Sequence, residues 1–252
     1  EKGVCWMEAR IRGRPGHGSF PQRGGTMAKL AGFLTALDQR EAPHRVTPAA
    51  RRMVETLAER ADPPLDGTIR ALLDPERVED AVGELGEAGV LLQGALQNTA
   101  NATVVRAGEK TNVVPGEARV EIDGRTLPGV GPEGMRAELR EAVGEAPGLE
   151  VLRHDPGTED PDMGLYPLLE ELLTEADPAA RPFPLLLLGG TDGRFFSRLG
   201  IQTYGFLPLD LPPDFSFLET IHAPDERVPA EALAFGTDVL VRLLERYGGA
   251  VG

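Results

Sequence analysis

Four short stretches carry residue types that could do chemistry. In "GRPGHGSFP" (13–21) His17 stands between glycines, which allow a backbone to approach a ligand closely and equally make an ordinary turn. In "KTNVVPGEARVEIDGRTLPG" (110–129) Asn112 falls at a hairpin tip and Arg125 at the far end of the returning strand. Taken alone, these two read as turn chemistry and a solvated strand end. In "LLLLGGTDGRFF" (185–196) a buried apolar run meets Gly189 and Gly190, then Thr191 and Asp192 in position to cap a helix. A loop leaving the carboxyl end of a parallel strand is where α/β proteins hold anionic or polar ligands, although the same residues also make a plain capped turn.

The fourth stretch, "TIHAPDERVP" (220–229), holds His222, one of only four histidines. A metal-bound imidazole needs its second nitrogen held by a carboxylate or carbonyl, and Asp225 and Glu226 are near enough in sequence to supply one. A metal site also needs three or four ligands, and an isolated surface-loop histidine needs none. His44 and His154 sit in polar, unpatterned segments and read as solvated bystanders, so no second ligand set assembles from this chain. Nucleophilic chemistry lacks a G-x-S-x-G elbow, and Cys5, the single cysteine, has no neighbouring imidazole and reads as a small buried hydrophobe.

Composition removes whole classes of function. A net charge of −14 over 252 residues, with cations scattered among acids, is the wrong electrostatics for gripping phosphate backbones. No apolar run reaches the roughly 18 residues of a spanning helix, so no membrane anchor is expected. A lone thiol forms no internal disulfide and points to a reducing, cytoplasmic setting. The opening "EKGVCWMEARIRG" lacks an initiator Met, a basic n-region and an apolar h-region, and reads neither as a signal peptide nor as a natural start.

The elements that must position these residues follow from periodicity. Residues 4–13 form a strand, and Thr26 is expected to cap a helix with Met27, Leu30, Phe33, Leu34 and Leu37 at helical spacing. A Pro- and Ala-rich helical insertion follows at about 47–93. "GALQNTANATVVRAG" and "ARVEIDGRTLP" are two strands of a long hairpin; "GPEGMRAELREAVGEA" is a helix and "LEVLRHD" a strand. The order β-α-(insertion)-β-β-α-β is that of a ferredoxin-like sandwich over residues 4–153. After it, helix 163–176, strand 185–188, helix 192–199, strand 202–207 and helix 230–247 alternate as in a parallel α/β sheet over 154–252. Two such strands bury too little to stand alone, so this region reads as part of a larger domain and the whole as α/β (α+β).

In this order, "GRPGHGSFP", "NTANATVVRAGEKTNVVPGEARVEIDGRTLPG", "GGTDGRFFSRLGIQTYGFLP" and "IHAPDERVP" resemble the di-zinc hydrolase family of aminoacylases, carboxypeptidase G, succinyl-diaminopimelate desuccinylase and yeast-type carboxypeptidase S. The resemblance covers nearly the whole chain. It implies a ferredoxin-like lid at 4–153 that closes over substrate and forms a homodimer, and at 154–252 the C-terminal portion of a catalytic α/β domain carrying two zinc ions. By the same resemblance His17 polarises the scissile carbonyl, often in a partner subunit's site. Asn112 and Arg125 help to bind the substrate's carboxylate, and Gly189, Gly190, Thr191 and Asp192 line the pocket. His222 is the last zinc ligand, supported by Glu226. The family's other metal ligands and its general base lie before the lid, so the resemblance implies that these 252 residues alone hydrolyse nothing. The implied substrate is a small amide or peptide bearing a carboxylate, with the carboxypeptidase S branch suggested by the long insertion. The alternative is a non-catalytic lid or dimerisation module that binds no metal tightly.

Overall fold

The computed structural model describes residues 1–144, 147–159, 161–216, 220–221 and 223–250. The chain divides into two compact units, Glu1–Pro161 with Leu185–Gly200, and Asp162–Pro184 with Ile201–Gly252.

In the first unit, alternation of small or apolar residues with charged ones makes strands that are dry on one face only. Strand β1 (Gly3–Arg12) buries Cys5, Met7, Ala9 and Ile11. The short β2 (Gly16–His17) follows, then α1 (Thr26–Asp38), which turns Leu30, Phe33 and Leu37 inward. After the insertion come β3 (Thr99–Ala107), β4 (Val113–Val114) and β5 (Glu117–Thr126), whose inward positions are Ala118, Val120 and Ile122. Helix α6 (Pro132–Val143) contributes Met135 and Leu139, and β6 (Gly148–Asp155) closes the sheet with Leu149.

The sheet order is β3-β5-β1-β6, antiparallel throughout, with its core packed under α1 and α6. This is the ferredoxin-like arrangement read from the sequence. Gly124 is required where it stands: a Cβ there would lie 2.2 Å from the Cys5 carbonyl oxygen on the neighbouring strand. Thr26 does not cap α1. Gly25 holds that position with no side-chain hydrogen bond, because Thr26 is fully buried against Gly13 as the first helical residue. Met27 stays half-exposed on the outer side of the helix.

The insertion comprises α2 (Pro48–Glu59), α3 (Leu65–Ala71), α4 (Val78–Leu85) and α5 (Glu87–Gly94) around Met53, Val54, Ile69, Leu72, Val78 and Ala81. Thr47 caps α2 by accepting from the Ala50 N–H at 3.2 Å, with Pro48 in the first turn where no donor is needed. His44, read from the sequence as solvated, is instead half-buried and bonded through Nε2 to the Leu72 carbonyl at 2.9 Å, tying the entry of the insertion to α3. At its exit, Lys2 is 1% exposed and donates to the carbonyls of Gly94 (2.9 Å) and Gln97 (2.8 Å) and to Thr99 Oγ1 (3.3 Å). Burial first, then the charges of Arg40 and Arg125, lower its ammonium to about 7.

The second unit contains α7 (Tyr166–Ala176) and α9 (Ala230–Ala250), joined by Arg246 to Glu171 at 3.3 Å and to Glu175. The start of α7 is held by Gln202 and Tyr204, which accept from the Leu165 N–H at 3.1 and 3.2 Å. The strands expected at 185–188 and 202–207 do not form; both segments are irregular, and in the first only Leu186 is buried. An apolar run becomes a strand only against a ladder partner. Among the described residues Leu185–Leu188 has a single such bond, from the Lys2 N–H to the Leu187 carbonyl at 2.9 Å.

Candidate substrate-binding site

The first unit holds its candidate residues toward opposite ends of β5, one group on the separate two-stranded β2-β4 sheet. At one end β2 pairs with β4, placing His17 opposite Val113. The Gly18 N–H donates to the Asn112 carbonyl at 2.8 Å, so the loops carrying His17 and Asn112 touch. Both side chains are exposed. The imidazole is steadied by Ser19, whose hydroxyl lies 2.8 Å from Nδ1, and by an edge contact with Phe20 at 6.0 Å. Among the described residues both of these hydrogen-bond contacts are made through Nδ1 and none through Nε2.

At the other end stands Arg125. Asp123, two residues earlier on the same face of β5, takes both Nε (2.7 Å) and Nη2 (2.9 Å) of its guanidinium, and the Trp6 indole N–H donates to the same carboxylate at 3.1 Å. This fork-to-fork pairing fixes the plane of the group and leaves the Nη1 edge available. The loop Gly189–Asp192 comes to that edge: a Cβ on Gly190 would lie 3.6 Å from Arg125 Nη1 and 3.7 Å from Arg194 Nη1. The loop backbone thus runs between two cations at ordinary contact distance. Helix α8 (Gly193–Ser197) continues from it, and Arg194 stacks over Phe195 at 4.4 Å. Arg194 and Arg198 both reach Asp155, at 3.7 and 3.2 Å. Hydrogen bonding to Arg153 above all, and then Arg198, holds the Asp155 carboxyl below its usual range.

Asp192, expected to cap α8, does not. Its backbone is already helical, and a capping side chain needs an extended backbone to turn back onto the helix. Thr191 does the nearest equivalent, its Oγ1 accepting from the Gly193 N–H at 3.1 Å.

Within one chain the structure thus joins the loops of His17 and Asn112, and Arg125 to the loop at Gly190, but not the two sets. Eight residues of extended β5 separate Glu117, at the Asn112 end, from Arg125, a span of about 27 Å. Of the second-unit residues, His222 lies outside the described residues. Glu226 is exposed, its N–H bonded to the Ala223 carbonyl at 3.2 Å, on the rim of a shallow groove with Leu207, Ile221 and Val228. Among the described residues no three His, Cys, Asp or Glu side chains lie together in a way that could hold a metal ion. The residues missed by sequence reasoning are Asp123 and Arg194. The first could have been found, since D-x-R on a strand places acid and arginine on one face; the second depends on contacts remote in sequence.

Comparison with known proteins gives the fold a context. Residues 1–149 match the M20 family model described as the peptidase dimerisation domain. Over 256 residues the chain is 26% identical to acetylornithine deacetylase of Myxococcus xanthus, covering 98% of this chain and 54% of that protein. Over 250 residues it is 25% identical to the N-fatty-acyl-amino acid synthase/hydrolase of Xenopus tropicalis, covering 97% and 48%. Over 160 residues it is 34% identical to succinyl-diaminopimelate desuccinylase of Magnetococcus marinus, covering 60% and 38%. Among solved structures, a hydantoinase/carbamoylase-family amidase from Burkholderia phymatum superposes with a TM-score of 0.51 at 15% identity, over 100% of this chain and 49% of that one. The chain spans about half the length of the curated relatives it matches over nearly its whole extent.

Proposed function

The chain belongs to the M20 peptidase family, and on that premise we propose that it is the lid and C-terminal part of a zinc-dependent hydrolase that cleaves the amide bond of N-acyl amino acids or small peptides. The observation that carries this reading is the Nη1 edge of Arg125, set by Asp123 and Trp6 and turned to the backbone of Gly190. A guanidinium held in one plane beside a glycine loop is suited to a carboxylate, which two parallel donors can grip. The names of the relatives point the same way, since acetylornithine and N-fatty-acyl amino acids are both N-acylated amino acids.

His17 and Asn112 complete the pocket from a second copy of the chain, because the sheet separates them from Arg125 in their own. There His17 Nε2 donates to the scissile carbonyl oxygen and stabilises the charge that develops on it. The described residues do not by themselves fit a pair of zinc ions. In this reading His222, supported by Glu226, is one ligand, the remaining ligands and the general base come from outside these 252 residues, and the chain alone is inactive. Bound zinc would supply a nucleophilic water.

The test is hydrolysis by the complete gene product of an N-acyl amino acid and of its C-terminal amide, before and after chelation and zinc repletion. Zinc-dependent cleavage of the free acid is expected, with Arg125→Ala lowering kcat/KM about 100-fold, as for loss of a charge-assisted bidentate contact. Equal cleavage of acid and amide would overturn the carboxylate assignment. Absence of turnover with a dimer that binds no zinc would replace the reading by a non-catalytic dimerisation module.

A further inference from the structure

We propose that Glu1 is a positioning residue: its carboxylate fixes the Gly189–Thr191 loop against Arg125 and so sets the affinity for the substrate's carboxylate, an inference that rests on the pocket reading above. One oxygen, Oε2, accepts from both the backbone N–H and the hydroxyl of Thr191, each at 2.7 Å. The other, Oε1, is buried and, among the described residues, has no hydrogen-bond partner, so the bonds to Thr191 are what hold the carboxylate. With its proton given to Glu1, the Thr191 hydroxyl is left to accept the Gly193 N–H at 3.1 Å, while the Thr191 carbonyl receives Arg194 Nη1. Every polar group of Thr191 is therefore committed, two of them to a residue 190 positions away.

The same two-residue segment also holds the loop from behind. The Lys2 N–H bonds the Leu187 carbonyl at 2.9 Å, and the Lys2 side chain grips the exit of the helical insertion at Gly94 and Gln97. Gly94 in turn packs closely on Leu188, whose Cδ1 would lie 2.9 Å from a Cβ placed there. Glu1 and Lys2 thus connect the insertion, β1 and the glycine loop. Bonded to Thr191 through two charge-assisted hydrogen bonds, the Glu1 carboxylate holds the loop from outside the Arg125 edge.

The experiment uses the complete gene product with Glu1→Ala and Glu1→Gln. It reads KM and kcat for an N-acyl amino acid and for its C-terminal amide, together with hydrogen exchange at the Thr191 amide. For Glu1→Ala, KM for the free acid rises about tenfold, as expected for loss of charge-assisted bonds at a half-exposed site, with kcat and the amide's KM within about twofold. The Thr191 amide exchanges faster in the same variant. Glu1→Gln keeps one acceptor oxygen and falls between wild type and Glu1→Ala on both measures. Unchanged Thr191 exchange in Glu1→Ala overturns the positioning role whatever the substrate proves to be. Faster exchange with KM for acid and amide rising together also overturns it, because a general loosening then replaces control of the carboxylate subsite. A wild type that treats acid and amide alike refutes the carboxylate reading instead, and is seen before any Glu1 variant is made.

Discussion

If His17 serves the partner's pocket, two inactive variants should rescue each other. His17→Ala and Arg125→Ala are made separately in the complete gene product. Each homodimer then lacks one essential group in both of its sites. In a mixed dimer the lesions segregate: one site carries both and the other carries neither. The geometry forces this outcome, because His17 pairs with Val113, on the Asn112 side of Glu117, while Arg125 is eight strand residues beyond Glu117. That span of about 27 Å is several times the length of an amino-acid substrate and cannot be bridged by a side-chain rotation. Equal amounts dissociated and reassociated at random give half mixed dimers, each with one intact site of two, so about one quarter of wild-type kcat/KM returns. The assay is turnover at substrate well below KM after mixing, with sedimentation to verify that dimers re-form. Activity no greater than the mean of the two single variants would refute the reasoning, since both groups would then act within one chain.

Two further predictions concern the first unit alone. Gly124→Ala forces a methyl to within 2.2 Å of the Cys5 carbonyl and 3.2 Å of Met135 Cε, and should destabilise by about 2–3 kcal/mol in denaturant unfolding, in the range of overpacked cores. The same substitution at Gly83, inside α4 with nothing within 4 Å, should instead stabilise by about 0.5–1 kcal/mol; equal effects at the two sites would contradict the packing assigned to Gly124. Lys2 gives a pH signature. With its ammonium lowered to about 7 in the folded state, the unfolded chain binds more protons between about 7 and the ordinary lysine value, so this group's contribution rises with pH. Relative to Lys2→Met, the wild type should gain about 1 kcal/mol between pH 6 and pH 8, and a difference independent of pH would refute the lowered value.

What could be read from the sequence depended on whether an element carries its own pattern or borrows its conformation from a neighbour. The alternation Ala118-Val120-Ile122 and the helical spacing of Leu30, Phe33 and Leu37 declare which face is dry, and the ferredoxin-like sheet forms as that pattern requires. "LLLL" at 185–188 declares only that it is apolar, and without a ladder partner it remains irregular with Leu185 62% exposed. The caps show the same division. Thr47 sits before Pro48 with extended backbone and caps α2, whereas Thr26 and Asp192 have the right side chains in the wrong backbone state, one buried by Gly13 and one already helical.

The site divides along the same line. His17, Asn112, Arg125 and Gly190 stand in local motifs, yet nothing local says that the first two and the last two lie toward opposite ends of β5. That follows from the register, Gly16 with Val114 and Gly3 with Thr126, which only the paired strands define. Register is also what turns a list of motif residues into a claim about assembly. If His17 polarises the scissile carbonyl and Arg125 binds the carboxylate, as proposed, a chain that keeps them a full strand length apart can bring them to one substrate only by pairing two copies. On that proposal the distance between His17 and Arg125 requires a dimer independently of any apolar interface, and rescue of one variant by the other is its test.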